Sequence, residues 1–569
     1  MGVGLKEIFD RLVGLETEYA IRFQSASFSA PRPARFLLYR QLVQALRLRV
    51  PIVRAGHFKE GVFTATGGAF WFETERIASD GGLIEGATPE CRGPGQVLIY
   101  QRAQDRLVAE AASAADVPGD LVLIKNCRDS RDNVYGAQEN YEATLAGPAG
   151  LLIWRIGMAM LLPLVVFTWL SLLVLIIGML IYLMLAGTAY LMLRLLPLNH
   201  ERIALVLFGR DLVEGRETGA PLPGWLEGIV IWAARVAGAP LALALLILAR
   251  LFAFRQIRRQ SLSFLITRTV LGGAGMVDRE GRFQLADKAP AINCVVGFGG
   301  YLWDRPIFNF GHFFKSLSLE SLHAPTDYAT MFDSRQRLQI GLGDSNMCEA
   351  AEYLRVGTTL LVLDAIEAGY LVDAPRMRGP IRCLHRLCRD PQLQQRITLV
   401  DGRRGTAIEV QRVYLDACTR FVAEHPRPPE EARQVLQRWR DALDALEHDP
   451  DQLVGTLDWV TKRFLLERAG RQADWAVQKK IDIRYHELSD EGYFSVLART
   501  GVVDRLVQAT DLERAMRTPP PDSPATTRGQ FIREFAGADV ALSANWRRVV
   551  IGKGRSAKVV RLARFGRRM

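Results

Sequence analysis

Two glutamates separated by a single residue carry the first chemical signal of the chain. They are Glu16 and Glu18, within the segment Gly-Leu-Glu-Thr-Glu-Tyr. If residues 12–23 form a strand, alternation places both carboxylates on one face. Adjacent carboxylates repel each other unless a cation lies between them, and hard oxygen ligands suit Mg²⁺ that carries nucleotide phosphates. A solvated strand face is the alternative explanation for this pair.

Three further polar segments contain carboxylate and amide side chains. They are residues 81–91 with Glu85 and Glu90, residues 125–141 with Glu139 and Asn140, and residues 341–349 with Asp344 and Asn346. Each alone is compatible with a polar loop. Together they supply many oxygen ligands, and the sequence has no Cys/His spacing typical of zinc. The set therefore favours Mg²⁺ and phosphate chemistry over zinc-dependent hydrolysis.

These segments resemble the motifs of the Pup ligase and Pup deamidase/depupylase family, within the glutamine synthetase-like carboxylate–amine ligase superfamily. The matching stretches are residues 14–19, 85–90, 125–141, 264–275, 305–309, 343–347, 411–414, 458–463, 485–486 and 528–531. The resemblance covers nearly all of residues 10–145 and 260–550. It implies an α+β fold in which a curved antiparallel sheet cradles ATP, with a small C-terminal domain.

The resemblance also implies roles for individual residues. Glu85 occupies the position of the catalytic acid. The implied metal ligands are Glu16, Glu18 and Glu90. The implied nucleotide-binding residues are Trp546, Arg305 and Asn140, and the residues implied to support the site are Glu139, Asp344 and Asn346.

The chain departs from the family pattern around the catalytic position. The family has Asp where this chain has Glu85. The longer side chain keeps the carboxylate, so a base role survives with altered geometry. Gly81 and Leu83 replace a family Arg and Tyr, which weakens one expected nucleotide contact and one expected metal contact. Thr88 and Gln138 each replace a His.

Three functions remain open from the sequence. A ligase would use ATP and Mg²⁺ to phosphorylate a glutamate-type carboxylate on a small protein modifier or glutamyl substrate. A lysine amine of a second protein would then displace phosphate, a good leaving group. A deamidase or depupylase-like hydrolase would use similar residues, with Glu85 activating water or attacking directly. The five-residue step from Glu85 to Glu90 is similar to the deamidase spacing. A catalytically degraded, nucleotide-binding membrane scaffold is the third candidate.

The hydrophobic pattern predicts the elements that must position these residues. Strands are predicted at residues 12–23, 121–125, 295–304 and 337–342, with a hairpin at 61–73. Helices are predicted at residues 35–48, 96–115, 261–271, 349–367, 427–447 and 453–469. This mixture indicates an α+β enzyme. We divide the chain into a first catalytic part (1–146), an insertion (147–258), a second catalytic part (259–495) and a small C-terminal domain with a basic tail (496–569).

The insertion accounts for the mean hydropathy of +0.06, which is high for a soluble enzyme. Residues 156–193 contain no charged side chain and exceed the roughly 20 residues that cross a bilayer. A second apolar segment, 229–254, precedes the basic flank 255–259. Because both catalytic parts belong to one site, the number of crossings must be even. They are either one per apolar segment or a hairpin within the first. We therefore expect a multi-pass protein of the bacterial cytoplasmic membrane with a cytoplasmic catalytic domain.

The cysteine content, the first residues and the charge of the chain argue against several classes of protein. Seven scattered cysteines fit reduced thiols rather than a disulfide framework. Residues 1–19 carry charges and no apolar core, so no cleavable signal peptide is expected. The net charge is +11, and residues 546–569 hold nine Lys/Arg and no acid. With few aromatic residues between them, this tail favours membrane lipids over specific nucleic acid as a partner, and a merely solvated tail is as compatible.

Overall fold

A 14-stranded sheet forms the centre of the computed structural model. The structure describes residues 7–27, 32–56, 60–73, 81–209, 222–300, 304–320, 326–470, 474–538 and 540–562. The strands are β1 (Leu12–Ser25), β2 (Ile52–Ala55), β3 (Gly61–Thr64), β4 (Ala69–Glu73), β5 (Leu83–Ala87), β6 (Cys91–Arg92), β7 (Gly119–Ile124), β8 (Ala137–Thr144), β9 (Met276–Val277), β10 (Phe283–Gln284), β11 (Cys294–Gly297), β12 (Pro306–Asn309), β13 (Arg335–Ile340), β14 (Ile397–Thr398), β15 (Arg404–Gly405), β16 (Leu542–Ala544), β17 (Arg548–Ile551) and β18 (Lys558–Arg561).

Helices cover one side of this sheet and build the insertion. They are α1 (Arg35–Arg47), α2 (Gly93–Ser113), α3 (Pro148–Met160), α4 (Leu162–Leu193), α5 (His200–Phe208), α6 (Gly224–Leu251), α7 (Arg255–Thr267), α8 (Thr269–Gly272), α9 (Gly311–Lys315), α10 (Thr326–Ala329), α11 (Glu349–Glu367), α12 (Pro380–Cys388), α13 (Ala407–Glu424), α14 (Glu430–His448), α15 (Asp458–Arg468), α16 (Trp475–Tyr485), α17 (Tyr493–Ala498), α18 (Ala509–Ala515) and α19 (Pro524–Phe535).

The sheet is mixed, which corrects the prediction of a purely antiparallel one. Its strand order is β11-β12-β13-β8-β1-β5-β4-β3-β2-β16-β17-β18, with β6 and β7 also paired to β1. Most neighbours are antiparallel, but β11–β12 and β16–β2 are parallel pairs. Two strands joined by a tight turn must be antiparallel, whereas a long connection allows either direction. Many helices separate β2 from β16 along the chain, so β16 can pair with β2 in the parallel direction.

Most predicted elements are confirmed, and their boundaries differ for local reasons. Strand β1 and helix α11 lie where the sequence predicts them, and the hairpin of β3 and β4 turns at Gly67, whose φ of 87° favours glycine. The predicted strand 295–304 is too long. It stops at Gly297 because Gly299 and Gly300 adopt positive φ.

Strand β1 and helix α11 define the core. Along β1, buried side chains alternate with half-buried ones, so one face packs inward and the other stays open. Nearly every residue of α11 is buried, and its helix packs against α2, α7 and α14. A second apolar cluster lies under β2, β3, β4 and α1. The open face of β1 is therefore backed by a fixed hydrophobic layer.

The insertion is a set of long apolar helices joined to the body at one end. Helices α4 and α6 are long and apolar enough to cross a membrane, with mean hydropathies of 2.8 and 2.0. Only 11% and 28% of their most apolar windows are buried, unlike a helix in a soluble core. Phe254, just after α6, donates its N–H to the carbonyl of Leu145 at 2.6 Å. The two ends of the insertion therefore meet at the body.

Candidate active site

The predicted acidic pair lies on the open face of β1. Glu16 and Glu18 occupy half-buried positions of the alternating pattern, so they share a face as predicted. Pairing of β1 with β5 places Glu18 directly opposite Glu85. Side chains at directly opposed positions point to the same face and lie close together. The structure thus brings the predicted catalytic residue beside two predicted metal ligands.

Burial and the charge of Glu85 both affect the pKa of Glu18. Burial is the main cause that raises the pKa of Glu18 to about 7, and the negative charge of Glu85 contributes to the same increase. The backbone N–H of Gly136 donates to Glu18 Oε2 at 2.5 Å and acts in the opposite direction. Lys288 contributes a compensating positive charge. Burial and the neighbouring carboxylate therefore outweigh these two contacts and keep the pKa of Glu18 raised.

Two residues on β13 orient Glu16. Arg337 Nη2 donates to Glu16 Oε1 at 2.9 Å, and Gln339 Nε2 donates to Oε2 at 3.1 Å. Arg337 also donates to Asn140 Oδ1 at 2.7 Å. Asn140, a predicted nucleotide-binding residue, is therefore joined to Glu16 through one guanidinium group. Neither Arg337 nor Gln339 was predicted, and their alternation on β13 is the only signal that indicates them.

Glu90 and Trp546 both contact the same arginine, Arg528. Arg528 donates to both carboxylate oxygens of Glu90, at 3.2 and 2.5 Å. The Arg528 guanidinium also lies over the ring of Trp546, 4.7 Å from its centroid, and over that of Phe63. Within the part of the chain that is described, no group of three or more His, Cys, Asp or Glu side chains has metal-binding spacing. The metal-ligand assignment stays a prediction.

Glu139 lies beneath the sheet, away from the open face. It accepts from Arg268 at 2.8 and 2.7 Å, from Arg355 at 3.3 Å and from the hydroxyl of Tyr141 at 2.6 Å. Burial alone raises its pKa, but the charges of Arg268 and Arg355 outweigh burial and leave the pKa below its usual value. Glu139 therefore holds β8 against the helices behind it. Its supporting role in the active site remains a prediction.

Asp344 and Asn346 fix loops by hydrogen bonds. Asp344 accepts from the backbone N–H groups of Ala274, Asp287 and Lys288 at 2.8, 2.7 and 2.9 Å. The loop so fixed aims Lys288 Nζ at the carbonyl of Ala137, at 3.1 Å, close enough to Glu18 to influence its pKa. Asn346 donates to Asp458 at 2.9 Å. Lys288 is a residue of the site that sequence reasoning missed.

Arg305 and two of the substituted positions have these places in the structure. Arg305 is exposed just before β12, eight positions from β16 in the strand order of the sheet. The hydroxyl of Thr88 accepts from the N–H of Leu15 at 2.9 Å. Gln138 lies opposite Glu16, and its Oε1 accepts from Gln339. The nucleotide contacts of Arg305 and Trp546 remain a prediction.

Comparison with known protein families identifies the class to which this chain belongs. The chain belongs to the Pup-ligase protein family, whose model matches residues 11–550.

Individual relatives and solved structures agree with that class. The chain is 34% identical over 302 residues to a Pup deamidase/depupylase of Mycolicibacterium smegmatis, covering 51% of this chain and 57% of that protein. It is 27% identical to a Pup–protein ligase of Corynebacterium jeikeium over 96% and 93% of the two chains. The first three relatives are matched over only 57–58% of their length. The crystal structure of Pup with its ligase PafA has a similar fold, at a TM-score of 0.64 and 21% identity, covering 97% of this chain and 89% of that one.

Proposed function

We propose that the protein is an ATP- and Mg²⁺-dependent carboxylate–amine ligase. It would join a glutamyl carboxylate of a small, Pup-like protein modifier to a lysine amine of a second protein. The observation that carries this proposal is the cross-strand pair of Glu18 and Glu85 beside Glu16, on the open face of the central sheet. Membership in the Pup-ligase family and relatives named as Pup–protein ligases support it.

Glu85 is the candidate general base. An attacking lysine must lose its proton to become nucleophilic, and a carboxylate held on a rigid strand can accept that proton. Cross-strand pairing fixes Glu85 opposite Glu18, and Trp71 of β4 opposes it on the other side. The base would therefore approach from a defined direction, in spite of its longer side chain.

The carboxylate groups on β1 are chemically suited to bind a hard divalent cation. Glu16 and Glu18 offer carboxylate oxygens on one face, and the nearby charge of Glu85 adds to the negative potential at Glu18. Bound Mg²⁺ would neutralise charge on a transferring phosphoryl group. Glu90 fits less directly because Arg528 occupies both of its oxygens. Trp546, Asn140 and Arg305 remain the proposed contacts of the nucleotide.

A related amide hydrolase is the second candidate function. Two observations favour it. The first four relatives are named Pup deamidase/depupylase or depupylase, at 33–35% identity. The step from Glu85 to Glu90 is similar to the deamidase spacing. In this reading Glu85 would activate water or attack the amide directly.

One assay separates these candidates. The purified protein is given MgATP, a peptide ending in Glu or Gln, and a lysine-containing acceptor. Amide formation with matching ATP consumption selects the ligase, whereas ammonia release from the Gln peptide with only catalytic nucleotide selects the hydrolase. Glu85→Gln should reduce either activity by roughly 100-fold or more, because the base is lost. Glu85→Asp, the family residue, should restore part of it.

The control for this assay is Glu110→Gln, a surface change on α2 that should leave the rate unchanged. Full activity of Glu85→Gln would contradict both enzyme assignments. Nucleotide binding without any turnover in the unmodified protein would support the scaffold instead.

We further propose that the insertion anchors this enzyme in the bacterial cytoplasmic membrane. The continuous helix α4 has 32 residues and, at 1.5 Å per residue, is about 48 Å long, more than the ~30 Å hydrocarbon layer. Helix α6 has 28 residues and runs back to the body. One crossing by each helix is supported better than a hairpin within α4, which has no turn. The catalytic domain would lie in the cytoplasm, where ATP is available.

A further inference from the structure

An arginine-lined cavity lies outside the site described above. It has a volume of about 600 Å³ and opens to solvent between the end of α12 and the hairpin of β14 and β15. Its lining consists of Arg386, Arg389, Asp390, Gln394, Gln395, Arg396 and Arg404. No aliphatic or aromatic residue contributes to this lining. The cavity therefore does not suit an apolar ligand, unlike most small-molecule sites.

The charge of this region is concentrated and poorly balanced. Residues 376–404 contain eight arginines against two aspartates. Within the described parts of the chain, Arg386, Arg389 and Arg404 form no ion pair. Asp390 is engaged locally, because its Oδ2 accepts the N–H of Gln395 at 2.5 Å. Arg396 pairs with Glu409 at 3.3 Å, but the arginines of the lining outnumber the carboxylates beside them. Such an excess creates a positive potential that a ligand anion would relieve.

The other polar groups distinguish between classes of anion. Guanidinium forks bind carboxylates and phosphates equally well. The side-chain amides of Gln394 and Gln395 offer both donors and acceptors. A peptide backbone can pair with both, whereas a polyphosphate offers almost only acceptors.

Nucleic acid fits this surface poorly. Single strands are commonly held by stacking of bases on aromatic side chains. Residues 376–404 contain no Phe, Tyr or Trp. The openness of the cavity and the length of the basic segment also suit an extended chain better than a compact ligand.

We infer that this cavity, together with the basic segment 376–404, is a docking surface for an acidic stretch of polypeptide rich in Asp and Glu. This inference goes beyond the proposed activity and does not depend on it, because it rests on the chemistry of residues outside the catalytic face.

The experiment measures binding of a fluorescently labelled glutamate decapeptide to the full-length protein by anisotropy. The double variant Arg386→Glu, Arg389→Glu should weaken binding at least tenfold. The control is Arg420→Glu, Arg427→Glu, which makes the same charge change at exposed positions on and beyond α13. It should weaken binding less than twofold. Equal melting temperatures of both variants and the parent exclude unfolding as the cause.

Three results would overturn the inference. One is equal weakening by both double variants, which would mean that only net charge matters. Another is absence of decapeptide binding at low salt. The third is tighter binding of an oligonucleotide or of inorganic polyphosphate of matched charge, lost in the Arg386→Glu, Arg389→Glu variant. That result would assign the cavity to phosphate instead.

Discussion

At the scale of single residues, the glutamates of the catalytic face differ in their partners. Glu18 lies opposite Glu85 and accepts the N–H of Gly136, whereas Glu90 is held by Arg528. Glu139 is paired most completely of all, between Arg268 and Arg355. Glutamate thus lines the open face of the sheet in one place and stabilises the fold in another. The difference lies in the side chains that surround each carboxylate.

Replacement of Glu139 tests this structural role. Glu139→Gln removes the charge that two buried guanidinium groups share, so we expect a loss of about 3–5 kcal/mol in the free energy of unfolding near neutral pH. The folded pKa of Glu139 is depressed. Its stabilisation is therefore full above the ordinary value, about 4.3, and is lost as pH falls through the folded pKa.

Thermal unfolding of the purified protein near pH 7 and at pH values stepped downward from about 4 measures this effect. The difference in melting temperature between parent and Glu139→Gln should narrow in acid. Glu110→Gln, which breaks an exposed ion pair with Arg106, should cost less than about 1 kcal/mol. Equal stability of the Glu139 variant would show that the ion pairs do not hold β8.

The sequence predicts those site residues that follow strand alternation or match a motif of the family. Alternation on β1 predicts the common face of Glu16 and Glu18, and the resemblance indicates Glu85. It missed Arg337 and Lys288, because their place depends on pairing between strands far apart in sequence and on a loop held by Asp344. No local pattern encodes such long-range register. The engagement of Glu90 by Arg528 was missed for the same reason.

At the scale of elements, the insertion is fastened to the segment that connects β12 and β13. Trp154 Nε1 donates to the carbonyl of Met331 at 2.8 Å, and Trp169 Nε1 donates to that of Leu317 at 3.0 Å. Tyr328 donates in the other direction, to the carbonyl of Met158. Helices α3 and α4 therefore hold both ends of one connecting segment. Periodicity predicts the helices but not these contacts, which require the tertiary fold.

Trp154→Phe tests the fastening. The carbonyl of Met331 loses its donor in a buried environment, which costs roughly 1–3 kcal/mol. The smaller phenyl ring also loses part of the packing of the buried indole. Unfolding followed by circular dichroism should show a lower melting temperature. Trp232→Phe is the matched control, since Trp232 belongs to α6 of the same insertion and its side chain is 67% exposed. An unchanged melting temperature of Trp154→Phe would contradict the proposed fastening.

At the scale of the whole molecule, residues that follow distant strands of the central sheet lie close enough to interact. His312, just after β12, is buried, and burial lowers its pKa well below the usual value, with the charges of Arg337, Lys315 and Arg547 acting in the same direction. Arg547 lies between β16 and β17, at the other end of the strand order. The predicted curvature of the sheet remains a prediction. The predicted domain boundary at 496 remains a prediction.

The two halves of the catalytic face come from before and after the insertion, which constrains the topology of the chain. Glu16 on β1 is bonded to Arg337 on β13, so both halves must lie on one side of any membrane. Helix α4 leaves the body and α6 returns to it, with Leu145 and Phe254 adjacent at the base. If both helices cross the bilayer, the turn after α4 must face the opposite compartment.

Cysteine labelling of intact bacterial spheroplasts tests this topology. Leu195→Cys, at an exposed position after α4, should react with a membrane-impermeant maleimide from outside. Arg420→Cys, on the surface of α13, should react only after permeabilisation. The parent protein is the background control, because six of its seven cysteines are buried. Labelling of Leu195→Cys only after permeabilisation would mean that α4 lies along the membrane surface. Labelling of Arg420→Cys from outside would contradict a cytoplasmic catalytic domain.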